Sequence, residues 1–452
     1  MSRGSVLSGI APTTTADVVI VGAGSAGCVL ADKLSRDGSR QVLLLEQGPL
    51  AWPEPSVLDV RRLPIAAGDP YVTRHRGAPE YEVVRGRGLG GSSVVNGGYF
   101  LRWHPGDFDG WPTGWSLADI DAAYAELDAP GGTMHVHPCA DDDIGDAAAA
   151  FEKYWAHRLP IRAPGERWPV LGVNRVLTNS VDGYRRTAAQ AYLSPALGRA
   201  GLSVCADSRV DAIVTNGRRV VGVRVGGYTV RCAELILCAG TLGTAELLLR
   251  SGIESLAAPM RVGEHREMLV GYRRTGTAPV SGMVLPSVVH TDDGIEIRCY
   301  RDDFAKYIRA IPATGPVIGV SAMRPASSGM LHLADGAVRL QLEPPDAPTL
   351  RRMSAAAQEV AAMLRSAEFA ALVIKDSVRI DPVIRTSQHA WGCAAMGLRT
   401  DWLGGVDGIR GLRIVDGSIL PTAGRSGPHA TTMMLACRIG DLLAAGAAGV
   451  AG

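Results

Sequence analysis

The chain has 452 residues and a mass of 47.5 kDa, which at roughly 100–200 residues per domain predicts two or three domains and a core that needs neither disulfides nor metals to hold it. Lys plus Arg number 46 and Asp plus Glu 45, for a net charge of +1. That balance excludes a strongly basic nucleic-acid binder and any long-range field that steers polyanions.

Four lysines are present (Lys33, Lys153, Lys306 and Lys375), so nearly all the positive charge is arginine, a mark of codon bias in a GC-rich genome. The eight cysteines (Cys28, Cys139, Cys205, Cys232, Cys238, Cys299, Cys393 and Cys437) form no CxxC pair, so neither a zinc ribbon nor a thioredoxin-type redox pair is indicated. The opening residues lack the basic and apolar regions of a secretory signal. The longest apolar stretch, Val18 to Ala31, falls short of the about 20 residues that span a bilayer, and the C-terminal LLAAGAAGVAG is shorter still. The expectation is a cytoplasmic protein with free thiols and no transmembrane segment.

Along the chain, residues 1–15 form a polar lead-in. Asp17–Val21 then reads as a short buried parallel strand. The run from Gly22 to Gly38 has helical spacing at Val29, Leu30 and Leu34, with Gly38 ending the helix. Gln41–Leu45 is a second strand, closing on Glu46, so the first 46 residues make one βαβ unit. Pro49 to Gly114 reads as loop-rich, with many Gly, Pro and Arg. Ala-rich helical stretches follow within 116–160. Val204 to Val230 reads as strands, with a hairpin signal at Asn216-Gly217. Glu234–Cys238 is a further buried strand, leading into the helix TAELLLRSGI. Residues 270–345 alternate apolar and polar, as an antiparallel sheet does. The helix TLRRMSAAAQEVAAMLRS follows. The end returns to glycine-rich turns, a strand at Gly411–Asp416 and a helix over about Thr431–Leu443. This mixture predicts an α/β domain interrupted by an antiparallel α+β one.

Gly22-Ala-Gly24-Ser25-Ala-Gly27 follows a strand, opens a helix, and is trailed by Glu46 about 20 residues on, which is the context of a dinucleotide-binding fingerprint. The first glycine allows the tight turn, the second lets the backbone approach a pyrophosphate, and the third lets helix and strand pack closely. The helix N-terminus offers its free N–H groups to the phosphates. Glu46 would accept hydrogen bonds from the ribose hydroxyls and oppose a 2′-phosphate. The fingerprint alone does not distinguish FAD from NAD.

Further motifs decide between them. Arg85-Gly-Arg-Gly-Leu-Gly-Gly91-Ser92-Ser-Val-Val-Asn96-Gly97-Gly resembles the first signature of the glucose–methanol–choline (GMC) oxidoreductases, and Leu237 to Ile253 resembles the second. Gly411 to Pro421 with Pro428-His429-Ala430-Thr431 is similar to the family's C-terminal flavin-binding strand and helix. Gln388-His389-Ala-Trp-Gly-Cys-Ala-Ala-Met-Gly397 resembles its catalytic-histidine block. The motifs run in family order over nearly the whole chain, the resemblance being weakest over residues 265–385.

The resemblance implies a Rossmann-like FAD-binding domain with an inserted α+β substrate domain built on an antiparallel sheet. The FAD-binding domain would comprise 1–115, 180–265 and 386–452, and the cap 116–179 and 266–385. Gly22, Gly24, Ser25 and Gly27 would hold the pyrophosphate and Glu46 the ribose. Gly91, Ser92, Asn96 and Gly97 would meet the pyrophosphate and flavin. Val210 falls where the family contacts adenine through its backbone, and Asp416 where it binds the ribityl-phosphate region. Ala430 and Thr431 would face the flavin pyrimidine. Members that tether FAD covalently carry a histidine where this chain has Val95, so the FAD is expected to be bound without a bond at that position. The family's Gly-x-Asn-Leu-x-Asp-His block is here Gly263-Glu-His-Arg-Glu-Met, to which no role can be carried.

Alcohol oxidation needs a base for the hydroxyl proton and an acceptor for the hydride, and histidine suits the base because it titrates near working pH. The resemblance places His389 and His429 beside flavin N5. His389 is expected to take the proton, and His429 to orient the hydroxyl and stabilise the alkoxide. The remaining eight histidines read as structural. His135-Val-His137 has no partner set for a metal, and no metal is expected. The aromatics Tyr99, Phe100, Trp103, Trp111 and Trp115 either line a pocket or fill the core, the second being the commoner fate.

The compact length, the NGGYF after the first signature and the PHATTMM near the end look like the mycofactocin-associated members of the family. These are proposed to reoxidise reduced mycofactocin, a secondary alcohol, and to pass electrons towards the respiratory chain. That implies a location in the cytoplasm or at the membrane periphery. The alternatives are an O2-dependent alcohol oxidase of the choline or glucose type, a flavin-dependent hydroxynitrile-lyase-like enzyme, and a non-catalytic FAD-binding protein.

Overall fold

A computed structural model describes residues 5–7, 14–78, 81–253, 260–276 and 282–446. Two sheets organise the chain. The first has eight strands in the order Ser5–Leu7, Leu202–Cys205, Val42–Leu45, Thr15–Val21, Tyr228–Leu237, Arg219–Val225 and Val210–Asn216, with Leu412–Ile414 also on Tyr228–Leu237. Its centre is parallel: Ile20 lies opposite Leu44 on one side and Ile236 on the other. These strands are apolar on both faces because both are covered, and Val19, Ile20, Leu44 and Ile236 are fully buried. Helix α1 (Ser25–Leu34) follows the first fingerprint strand. The run from Val210 to Leu237 folds back as an antiparallel meander, and Gly217 supplies the positive φ that its hairpin turn requires.

The second sheet has ten strands and is almost wholly antiparallel. At its centre the long strand Val317–Ala334 pairs along most of its length with Met260–Gly271. Ile295–Cys299 and Ser287–His290 continue the sheet on one side, and Arg385–Thr386 docks on Met260–Gly271. Four further helices are α2 (Leu117–Asp128), α3 (Asp146–Ala156), α4 (Gly240–Arg250) and α5 (Ala347–Met363). Phe151 and Trp155 of α3, and Met353 and Val360 of α5, bury against Ile297 and Val320 of this sheet. The last helix, α6 (His429–Ala444), packs against α1 and α2.

The structure departs from the sequence reading at Val72–Gly86. The stretch read as loop contains a hairpin, Val72–Ala78 with Tyr81–Gly86, which joins the second sheet and not the first. Its strands pair in register from Val72 opposite Gly86 to Gly77 opposite Tyr81, but the arginines and glycines within them hide the β period. Helix α2 lies on α6, with Tyr124 Oη 2.7 Å from Thr431 Oγ1. Phe100, Trp103, Trp111 and Trp115 are core residues. Among the described residues no helix is long and apolar enough to cross a membrane.

Candidate active site

Two glycine turns face each other at the C-terminal ends of the parallel strands. Gly22 has φ +101°, and a Cβ there would lie 2.6 Å from the Cys238 carbonyl oxygen. A Cβ on Gly27 would overlap the Gly22 carbonyl, so only glycine lets α1 approach the strand. Gly24 is the N-cap of α1 and no side chain caps that helix, leaving its first N–H groups free. Ser25 is the helix's first residue. The second turn, Gly91–Val94, comes so close that a Cβ on Gly91 would sit 2.7 Å from the Gly24 Cα. Ser92 Oγ accepts the Gly86 N–H (3.0 Å). Gly97 borders open space. This is a cradle that side chains would fill, and it fits a dinucleotide.

Glu46 ties the cradle together. Its carboxylate is 5% exposed and accepts main-chain N–H groups from Ala23 (2.8 Å), Gly48 (2.8 Å) and Gly88 (2.9 Å). Burial raises its pKa and these donors oppose the rise. The sequence reading gave Glu46 to a ribose alone, but the carboxylate also joins three separate loops. Val210 starts its strand beside it, since Ser208 donates its N–H to the Glu46 carbonyl (2.8 Å). Asp416 is likewise buried: it accepts from Gly240 N (2.9 Å), Thr244 Oγ1 (2.6 Å) and Ser418 N (2.7 Å), so its carboxylate is turned onto the start of α4. Asn96 Oδ1 accepts the Gly98 N–H (3.0 Å), and the Asn96 carbonyl accepts from Arg185 Nε (2.5 Å). Arg185 is fully buried, among the described residues it has no carboxylate partner, and its other donors go to the carbonyls of Val57, Asp59 and Arg62. Val95 packs in a small apolar cluster with Leu58 and Val94 and offers no nucleophile.

The two histidines converge on the Tyr99–Phe100 pair that follows the second glycine turn. His429 opens α6, which has no side-chain cap. Its ring stacks edge-on against Phe100 with centroids 5.6 Å apart, and its Nδ1 is 3.4 Å from Ser25 Oγ. Its Nε2 has no partner among the described residues, and burial lowers its pKa to about 4. Ala430 and Thr431 occupy the same first turn, the Thr431 hydroxyl facing Tyr124. A Cβ on Gly427, two residues before His429, would touch both His389 Nε2 (3.6 Å) and Tyr99 Cε1 (3.6 Å), so the His389 and Tyr99 rings flank one point.

The segment that had no sequence role turns out to hold His389. Gly263 pairs with Trp391 main chain to main chain, and a side chain at Gly263 would collide with the indole. Glu264 Oε1 accepts the His389 main-chain N–H (2.8 Å), and burial raises the Glu264 carboxyl to about 7. His265 Nδ1 lies 3.0 Å from His389 Nδ1. Burial first, then His265 and Arg298, hold the His389 pKa well below its ordinary value, so its ring is neutral at working pH. Gln388, just before it, has φ +65°. Its side-chain amide pairs with the hairpin edge by accepting from Val84 N (2.7 Å) and donating to the Glu82 carbonyl (3.1 Å).

Behind Tyr99 lies a buried polar chain that the sequence reading missed. Tyr99 Oη donates to Glu296 Oε2 (2.8 Å), which also contacts His290 Nε2 (2.9 Å), and His290 Nδ1 contacts His104 Nε2 (2.8 Å). Arg298 Nε donates to Glu296 Oε1 (2.5 Å). Glu296 and Arg298 stand two apart on a strand buried throughout, and that pattern of charge inside an apolar strand was the available signal. His104, His265 and His290, read as ordinary structural histidines, all belong to this region. His137 Nε2 contacts the Ser180 carbonyl (3.0 Å), and among the described residues no group of three or more His, Cys, Asp or Glu could hold a metal.

Comparison with known proteins places this geometry. The two GMC oxidoreductase family models match residues 16–267 and 325–436. The chain is 32% identical to an uncharacterised GMC-type oxidoreductase from the thcA 5′ region of Rhodococcus erythropolis, over 95% of this chain and 98% of that protein. It is 28% identical to a 5-(hydroxymethyl)furfural oxidase of Methylovorus, over 95% and 99%. The crystal structure of pyridoxine 4-oxidase from "Mesorbium loti" superposes with a TM-score of 0.84 at 23% identity, over 94% of this chain and 98% of that one. The chain therefore belongs to the GMC oxidoreductase family, and it is an FAD-dependent oxidoreductase of that alcohol-oxidising group.

Proposed function

We propose that this protein oxidises the CH–OH group of a small alcohol, with His389 as proton acceptor and His429 as the group that orients the oxygen. The observation that carries the reading is the convergence of the two rings on Tyr99–Phe100, beside the glycine cradle. The substrate O–H bond breaks and its proton passes to Nε2 of His389, whose neutral ring has a lone pair to receive it. His429 is held from behind by Ser25, so its Nε2 is left for the substrate oxygen. The aromatic walls and buried surroundings exclude water, which strengthens these polar contacts. Bound FAD supplies the hydride acceptor.

In this reading the FAD is held non-covalently. Gly22, Gly24, Ser25, Gly27 and the free N–H groups of α1 hold the pyrophosphate, with Glu46 at the ribose and the Val210 backbone at the adenine. Gly91, Ser92, Asn96, Gly97 and the Asp416 turn border the ribityl chain and flavin. The main chain of Ala430 and Thr431, at the positive end of α6, faces the pyrimidine. Within that chemistry we propose reduced mycofactocin as substrate and a respiratory carrier as final acceptor, on the strength of the sequence resemblance at NGGYF and PHATTMM. The eight free cysteines support a reducing compartment, the cytoplasm.

The test is an anaerobic absorbance titration of the purified yellow protein with reduced mycofactocin and with simple primary alcohols, followed by admission of air. Bleaching is the expected result. Return of colour in air would make the protein an oxidase in place of a dehydrogenase. Bleaching by simple alcohols and not by mycofactocin would refute the mycofactocin reading, and no bleaching by any of them would favour the lyase. His389→Ala should slow bleaching by about 10²–10⁴-fold, and an unchanged rate would refute the base assignment.

A further inference from the structure

We infer that His265 is a positioning residue that fixes which ring nitrogen of His389 carries the proton. The inference rests on the reading of His389 as the base, and it concerns a different residue and a different observable. The two Nδ1 atoms are 3.0 Å apart. Two neutral imidazoles can share that contact in only two ways, because one nitrogen must donate and the other accept. In the first arrangement His389 donates from Nδ1, its Nε2 keeps the lone pair, and His265 carries its own proton on Nε2. In the second, His265 donates from Nδ1 and His389 carries its proton on Nε2, where the substrate hydroxyl would have to deliver one. Only the first arrangement produces a base facing the cavity.

The surroundings make His265 the residue that decides. His389 Nδ1 has no other partner among the described residues, and the His389 main-chain N–H is anchored on Glu264, one residue before His265 in the same strand. Ser387 also donates its N–H to the His265 carbonyl (2.9 Å). The catalytic loop is therefore bound to this strand at three successive points, and the ring–ring contact is part of that register. His265 is fully buried and its Nε2 meets no partner among the described residues, so its contact with His389 Nδ1 is the one ring hydrogen bond through which it can act. The charged groups facing the pair are Arg85 from the hairpin, Glu264 from the strand of His265, and Glu296 and Arg298 from Ile295–Cys299, which lies one strand further across the sheet, beyond Val317–Ala334. None of them makes a ring hydrogen bond to either histidine, so they bias the pair without substituting for it. A base oriented by a third group through its far nitrogen is a general arrangement in nucleophile and base activation.

The test uses the FAD-loaded protein labelled with ¹⁵N-histidine and records long-range ¹H–¹⁵N correlations of the imidazole rings. The His389 signal is assigned by its loss in His389→Gln. The expected result is a His389 ring protonated at Nδ1 with a bare Nε2, and a shift towards the other tautomer in His265→Phe, which keeps a ring and removes the acceptor. A wild-type His389 protonated at Nε2, or an unchanged tautomer in His265→Phe, would overturn the inference. In parallel, the rate of flavin bleaching by an alcohol that passes the titration above should fall about a hundredfold in His265→Phe. It should recover in part in His265→Asn, whose amide oxygen can accept from Nδ1. Should the Phe variant fail to fold, His265→Leu, which also removes the acceptor, carries the spectroscopic test with the same criterion. Full activity in His265→Phe with loss in His389→Ala would refute the role of His265 and leave the base in place. Full activity in His389→Ala would instead refute the base.

Discussion

Lowering the pH from 7 to 5 should destabilise this protein through two histidines that never meet substrate in bulk water. His104 is 5% exposed and His265 fully buried. Burial, followed by the neighbouring His290 for the first and Arg298 for the second, lowers their pKa values to about 2 and about 3. Unfolding returns each to an ordinary value of about 6.5. The unfolded chain then binds protons that the folded chain refuses, so the stability present above pH 6.5 is lost as the pH falls below it. Between pH 7 and pH 5 the loss is about 2 kcal/mol per histidine. The assay is guanidinium unfolding at pH 7, 6 and 5, comparing wild type with His104→Gln. The variant should start lower at pH 7, because its contacts to His290 and the Asp107 turn are gone, yet lose about 2 kcal/mol less than wild type on the way to pH 5. Equal losses in the two proteins would refute the reasoning, since the acid sensitivity would then lie elsewhere.

Three further outcomes are expected. Gly27→Ala should cost about 1–3 kcal/mol from the forced overlap and leave the purified protein colourless, read from the ratio of flavin to protein absorbance. Glu46→Ala strands three buried N–H groups, each worth about 1–3 kcal/mol, so the apoprotein itself should unfold at markedly lower denaturant, which a purely ribose-binding role would not cause. Arg185→Met leaves four main-chain carbonyls without their donor and should both lower the melting temperature and speed FAD release, because the Asn96 turn loses its anchor.

The cofactor half of the site was legible because its demands are local. A strand, three glycines and a helix start must be contiguous, so Gly22 to Gly27 and Glu46 announce themselves within one βαβ unit. The substrate half was not legible, because its contacts join residues far apart in the chain. Tyr99 meets Glu296 and His104 meets His290 across nearly 200 positions, and nothing in the local pattern distinguishes these from routine strand residues. His265 illustrates the difference: its block had lost the family's usual spelling, and only the pairing of Gly263 with Trp391 reveals what the segment holds. The hairpin at Val72–Gly86 escaped for a simpler reason, its β period being interrupted by glycine and arginine.

The order of the first sheet also constrains how the protein can be made. Its middle strands come from residues 15–21, 42–45, 202–205 and 228–237, and the last to dock, Leu412–Ile414, is followed by the helix that covers α1. During synthesis the early strands emerge long before their neighbours exist, and the edge at Leu235–Leu237 stays open for some 170 residues more. Such long-range closure is slow, and it leaves apolar edges available to other chains in the meantime. A nascent chain stalled before residue 412 should therefore be held by ribosome-associated chaperones.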